Sequence, residues 1–139
     1  RGICPWEFIV VTDKTYLAEL SRCREGSAAF LKDAPLGIVV LADENKSDVW
    51  VEDASIASIL IQLQAEALNL GSCWIQVRGR MHDKNKTAEE YIREQLSIPD
   101  NMCVESIIAI GYPDENKSPH REDELKYDKV YIQRYGNRY

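Results

Sequence analysis

Apolar positions follow two rhythms along the chain: unbroken runs a few residues long, and spaced positions recurring every three to four residues. Phe8–Thr12, Leu36–Ala42, Cys73–Val77 and Val104–Ile110 are the runs. Their length and their content of Val and Ile predict four strands, the first two buried. The spaced positions predict helices between them. Asp13 stands where an N-cap belongs, and Tyr16, Leu17, Leu20 and Cys23 follow on one helical face until Gly26. Ala28–Ala34 reads as a second short helix, stopped by Pro35. Thr87-Ala-Glu-Glu90 is a capping box, and Ala88, Tyr91, Ile92 and Leu96 form the buried stripe of a helix ending before Pro99. Asp43–Asp48 is a polar turn, and Gly111-Tyr-Pro113 leads the chain out of its last strand.

One stretch breaks the amphipathic rule. In ASIASILIQLQAEALNLG, residues 54–71, apolar side chains cover most of the circumference and Glu66 is the only charge. Asp53 is placed to cap this helix and Gly71 to end it in the left-handed conformation. A helix apolar nearly all round needs cover on several sides, which leaves two readings: a plain core helix, or a subunit interface.

Composition narrows the class. The chain has 139 residues, 45% of them hydrophobic and 29% charged, which fits a single soluble globular domain over 1–139. Seventeen Lys and Arg against 23 Asp and Glu give a net charge of -6, which excludes the basic stripe of a nucleic-acid binder and docking on anionic lipid. No apolar run approaches the ~20 residues of a membrane span, and no signal peptide is visible. Cys4, Cys23, Cys73 and Cys103 form no Cys-x-x-Cys pair and only two histidines occur, so no zinc site is expected. The thiols are expected to be reduced and packed, Cys4 and Cys73 included, in a cytoplasmic protein. Residues 114–139 are polar apart from a strand-like patch at Val130–Ile132. A tail this long with its own apolar residues is expected to pack across something.

Alternating strands and helices suggest a parallel α/β sheet by default. The chemistry of that default is missing. No glycine occurs between Thr12 and Gly26, and there is no G-x-x-x-x-G-K-[ST], no G-x-S-x-G and no H-E-x-x-H. An enzyme lacking all of these takes its reactivity from an organic cofactor.

Three stretches, in this order and spacing, resemble the FMN-dependent nitroreductase family: C-P-W-E-F-I-V-V at 4–11, D-A-S-I-A at 53–57 running through A-E-A-L-N-L-G-S-C-W-I to 75, and I-I-A-I-G-Y-P at 107–113. The segment V-R-G-R-M-H-D with T-A-E-E-Y-I-R-E-Q-L-S-I-P is similar to small bacterial members. The resemblance implies an α+β, three-layer fold with a mixed, mainly antiparallel sheet between helices, in place of the parallel default. It implies a homodimer whose central helices pack together and whose tails, here 114–139, lie on the partner. It implies FMN at the dimer interface, reduced by NAD(P)H and reoxidised by a nitroaromatic, a quinone or a similar electron-poor acceptor, with no catalytic side chain required. The runner-up is a flavin carrier or sensor with the same fold and no turnover.

The resemblance also assigns cofactor-binding positions. The corner Arg1, Gly2, Cys4, Pro5 and Trp6 falls where the family brings a flavin-facing segment from the partner subunit. Pro5 and Trp6 match, while Gly2 and Cys4 stand where Asn and Gln side chains are usual. Trp74, Ile75, Gln76 and Val77 fall where backbone lies along the isoalloxazine and an N–H points at N5. His120 and Arg121 are the expected phosphate ligands, with Lys117 and Lys126 as alternatives; the guanidinium fork favours Arg121. Family members open with a helix bearing an Arg-Arg-Ser-x-Arg-type run that holds the cofactor. No such run precedes Arg1, so the flavin site of this stretch is expected to be incomplete and its affinity lowered. The basic loop Arg78–Thr87 reads as a surface loop, with admission of an anionic cofactor or substrate as the alternative.

Overall fold

In the computed structural model, which describes residues 2–138, four strands and three α-helices stack in three layers. The strands are β1 (Trp6–Val11), β2 (Leu36–Asp43), β3 (Gly71–Gln76) and β4 (Met102–Gly111). The helices are α1 (Lys14–Leu20), α2 (Trp50–Ala67) and α3 (Ala88–Leu96). The sheet runs β1-β2-β4-β3 and all three pairings are antiparallel. The architecture is therefore α+β, and no parallel pair occurs among the described strands. β2 and β3 do run the same way, but β4 lies between them, so α2 crosses over a strand rather than joining neighbours.

Pleating sends alternate residues to opposite layers. Val11, Val39, Leu41, Ile75, Val77 and Ile107 meet Leu17 and Leu20 of α1, Leu31 of the 3-10 turn Ala29–Asp33, and Ile92 of α3. Val40, Ala42, Ile108 and Ile110 meet α2 through Ala54 and Ala65. A bulge joins the two middle strands: Val40 pairs with Ser106 but Leu41 pairs with Val104, so Glu105 is the extra residue.

Several boundaries differ from the sequence expectation. β1 is not a buried strand; it is an edge strand, with Trp6, Phe8 and Val10 exposed on its α2 side. α2 begins at Trp50, so Asp53 sits inside the first turn, where its charge favours the helix N-terminus, and Val49 holds the cap position without a side-chain bond. The left-handed residue after α2 is Asn69 (φ 57°), not Gly71, which opens β3 instead. Val130–Ile132 forms no strand; Tyr131 bridges to Arg138 within the tail. The cap of α1 by Asp13 and the reciprocal Thr87–Glu90 box of α3 are as expected. No helix among the described residues is long and apolar enough to cross a membrane.

Candidate functional site

β3 is the second edge of the sheet, and its outer side defines the site. Val77 N–H donates to the Glu105 carbonyl (3.2 Å), so by alternation Ile75 and Cys73 also turn their backbone groups toward β4. Ser72, Trp74 and Gln76 therefore present N–H and C=O to the free edge. The Gln76 carbonyl is already taken there, by Arg24 Nη1 at 3.1 Å. The side chains of this strand are fixed from within. Trp74 Nε1 donates to Gln76 Oε1 (2.9 Å), and Gln76 Nε2 donates to the Arg78 carbonyl (3.0 Å). Gln76 thus spends its side-chain amide on the strand, and what remains for a ligand is the outward backbone of Ser72 and Trp74 and the Gln76 N–H. Ile75 and Val77 point their side chains into the closed core and turn their backbone N–H groups toward β4, so neither offers a donor at the outer edge.

Behind this edge lies Glu105, only 4% exposed. The bulge turns it to the α2 side, where Oε1 accepts from Ser55 Oγ (3.4 Å) and Oε2 has no partner among the described residues. Burial pushes its carboxyl above the usual carboxylate range, against the opposing pull of Arg78, Gln76 and Ser55. The Arg78 guanidinium itself lies 5.7 Å from the Trp50 ring centre. Sequence reasoning missed Glu105, although a lone acid inside the apolar run Val104–Ile110 was the available signal.

The corner segment sits elsewhere. Pro5 is buried and its carbonyl accepts from Asp43 N–H (2.9 Å), which aligns the chain into β1. Cys4 (φ 50°) and Gly2 (φ 63°) are exposed in left-handed conformations, and Trp6 lies 5.4 Å from Phe8 on the α2 side. Arg1 lies outside the described residues. β1 and β3 are opposite edges of the sheet, three strand spacings or about 14 Å apart. The corner and the Trp74–Val77 strand of one chain therefore do not converge on one small ring system.

The basic candidates are likewise separated. Arg121 forks onto Asp123 (2.9 and 2.7 Å) and His120 faces Glu124 (3.6 Å), both ion pairs internal to the exposed tail. Lys117 pairs with Glu115 (2.6 Å), again within the exposed tail. Of the thiols, Cys23 is buried and Cys103 half-buried, and desolvation lifts both to about 11. Cys4 and Cys73 are exposed rather than packed. Finally, α2 leaves a groove of about 560 Å³ against β1, lined by Trp6, Phe8, Ile38, Ile56 and Leu60.

Comparison with known proteins gives consistent matches. The family model described as "Nitroreductase family" matches residues 10–112. A protein of Archaeoglobus fulgidus, provisionally named NADH dehydrogenase/NAD(P)H nitroreductase, is 35% identical over 136 residues, covering 94% of this chain and 75% of that protein. A protein of the same name from Methanothermobacter thermautotrophicus is 35% identical over 134 residues, covering 94% of this chain and 66% of its own. Among solved structures, an FMN-dependent nitroreductase from Clostridium difficile R20291 superposes with a TM-score of 0.94 at 56% identity, covering 96% of this chain and 78% of that one.

Proposed function

The chain belongs to the nitroreductase family, and from that premise we propose that it is an oxidoreductase carrying electrons from NAD(P)H through FMN to a nitroaromatic, quinone or similarly electron-poor acceptor. The observation that carries this reading is the open edge of β3. Trp74 turns an unpaired backbone N–H outward, and its flanking side chains are locked by hydrogen bonds that leave the N–H uncovered. FMN supplies hydride acceptance and release, so no side-chain acid or base has to be assembled. The chain's own part is to present a fixed donor, exclude water with Trp74, and place charge near phosphate.

The residues present fit that group in part. Backbone donors of β3 suit a planar ring with polar edges, and the phosphate falls to the basic residues of the tail, His120 and Arg121 first, with Lys117 and Lys126 as alternatives. Gly2 and Cys4 offer no amide side chains, so the corner contributes through Pro5 and Trp6. A homodimer supplies what one chain lacks. The corner of one protomer reaches the β3 edge of its partner, the α2 helices pack together, and the tail, exposed with Leu125, Tyr127 and Ile132, lies across the second subunit. A cytoplasmic setting fits the four free thiols.

The experiment is a visible absorbance spectrum of the purified protein with added FMN, followed by NAD(P)H consumption with and without a quinone. A flavin spectrum and acceptor-dependent turnover are expected. Protein that takes up no FMN sinks the proposal. Flavin uptake without turnover instead establishes the carrier reading, which the missing amides at Gly2 and Cys4 favour.

A further inference from the structure

A cleft of about 1050 Å³ lies in the α1/α3 layer, away from α2. One wall is the segment from the end of α1 into the 3-10 turn, and the other is the loop between β3 and α3. Although the chain is acidic overall, this cleft collects five Lys and Arg against two carboxylates, Glu25 and Asp83. Among the described residues, Arg24, Lys32, Arg80 and Lys84 make no ion pair, while Arg22 is matched by Glu19 (2.9 Å). Asp83 is occupied too. It accepts from the backbone N–H of Asn85 (2.7 Å) and Lys86 (2.9 Å), which turns the loop and holds its carboxyl below the usual range.

The two walls are fixed to each other. His82 Nδ1 meets the Arg22 carbonyl at 2.8 Å, and the His82 ring stacks on Tyr91 of α3 with centres 4.1 Å apart. Tyr91 Oη in turn donates to the Glu19 carbonyl of α1 (3.1 Å). Met81 bridges to Thr87 across the base of the loop, and Ala88 N–H donates to the Arg80 carbonyl (2.9 Å). The loop backbone that carries Arg80 and Lys84 is therefore clamped, which lowers the cost of ordering it around a polyanion. The cleft is also joined to the candidate redox strand, because Arg24 lines it and donates to the Gln76 carbonyl on the open edge of β3.

We infer that this cleft holds the phosphates of the dinucleotide reductant, with Arg80 and Lys84 of the loop facing Lys32 and Arg24 of the opposite wall. The inference rests on the oxidoreductase reading above. Its shared chemistry is a phosphate-bearing nucleotide, and the dinucleotide is preferred over the flavin for two reasons. The cleft adjoins the Gln76 end of β3 through Arg24, and no residue of the basic tail expected to hold the flavin phosphate lines it. Its volume also far exceeds that of a single phosphate.

The test is an amide NMR titration of the labelled chain, without added FMN, using inorganic pyrophosphate, NADPH and FMN in turn. Pyrophosphate and NADPH are expected to shift residues 22–26 and 79–84. The Arg80→Gln/Lys84→Gln double variant, whose changes are both at exposed positions, is expected to weaken both ligands about tenfold. Raised salt is expected to weaken them in the wild type. In FMN-loaded protein the same variant raises KM for NADPH about tenfold and keeps kcat. Shifts from FMN alone, shifts outside the cleft, or a variant that binds pyrophosphate like the wild type overturn the inference. Because the titration needs no flavin, a colourless protein that still binds NADPH in the cleft separates this inference from failure of the redox reading.

Discussion

The two faces of the sheet are equally apolar in sequence and unequally finished in structure. On the α1/α3 face, Leu17, Leu20, Leu31, Val39, Ile92 and Ile107 are wholly buried, and the chain closes its own core. On the α2 face the fully buried residues of the helix are all small, Ala54, Ser58 and Ala65, with Trp50 and Ile61 half-buried beside them, while Ile56, Leu60, Leu63 and Leu68 are more than half exposed. Small residues let the helix lie close, and the large ones then point away. The α2 face also buries polar groups: Ser58 and Ser106 hydroxyls pair at 2.9 Å, and Glu105 keeps an unpartnered oxygen. One face closes a folding core, and the other leaves the apolar surface on which the proposed dimer would form.

The largest expected effect tests the closed face. Ile107→Ala removes a wholly buried side chain with no room to collapse, and should cost about 2–5 kcal/mol in denaturant unfolding. A loss well below 1 kcal/mol means the face is not tightly packed. The open face should respond differently to a harsher change. Leu60→Asp adds charge to a residue 58% exposed, so the folded chain should lose little intrinsic stability. Its dimer dissociation constant should nevertheless rise on the order of 30- to 1,000-fold, read by analytical ultracentrifugation. If Leu60→Asp leaves the oligomeric state untouched, the two faces do not divide the work in this way.

The smallest effect concerns the polar group buried on the open face. Because the folded pKa of Glu105 is raised, its contribution favours folding below the unfolded value of about 4.3 and is lost as pH rises through the folded value. Glu105→Gln should therefore be more stable than the wild type at pH 7. That advantage should shrink as pH falls toward about 4, measured by paired thermal melts. An advantage independent of pH shows that ionisation of Glu105 is not what strains the site.

How much of this was legible in the sequence depends on the range of the forces involved. The Asp13 cap and the Thr87–Glu90 box are local and were readable in full. The start of α2 was not, because Val49 caps nothing and the first turn is stabilised by Glu52 and Asp53 from inside the helix. The exposure of β1 was misread because an apolar run looks the same whether its cover comes from this chain or another. The β3 strand was legible from its apolar run, expected at Cys73–Val77 and observed at Gly71–Gln76. The contacts that define it, Arg24 to Gln76 and His82 to Arg22, span 52 and 60 residues and leave no periodic trace. The tail contacts are local by contrast: Arg121 and His120 each meet a carboxylate within four residues in sequence.

The uncovered edge of β1 carries a further consequence, for how the chain behaves before it meets a partner. WEFIVV is a six-residue run of strong strand formers whose single acid, Glu7, lies 3.8 Å from Lys46 and so is partly masked. Such a segment can template addition of an identical strand from another molecule. Productive pairing and clumping then compete for the same groups. Crowded synthesis or refolding at high concentration will favour the second outcome, and early pairing across the α2 face, as proposed, is what would compete with it.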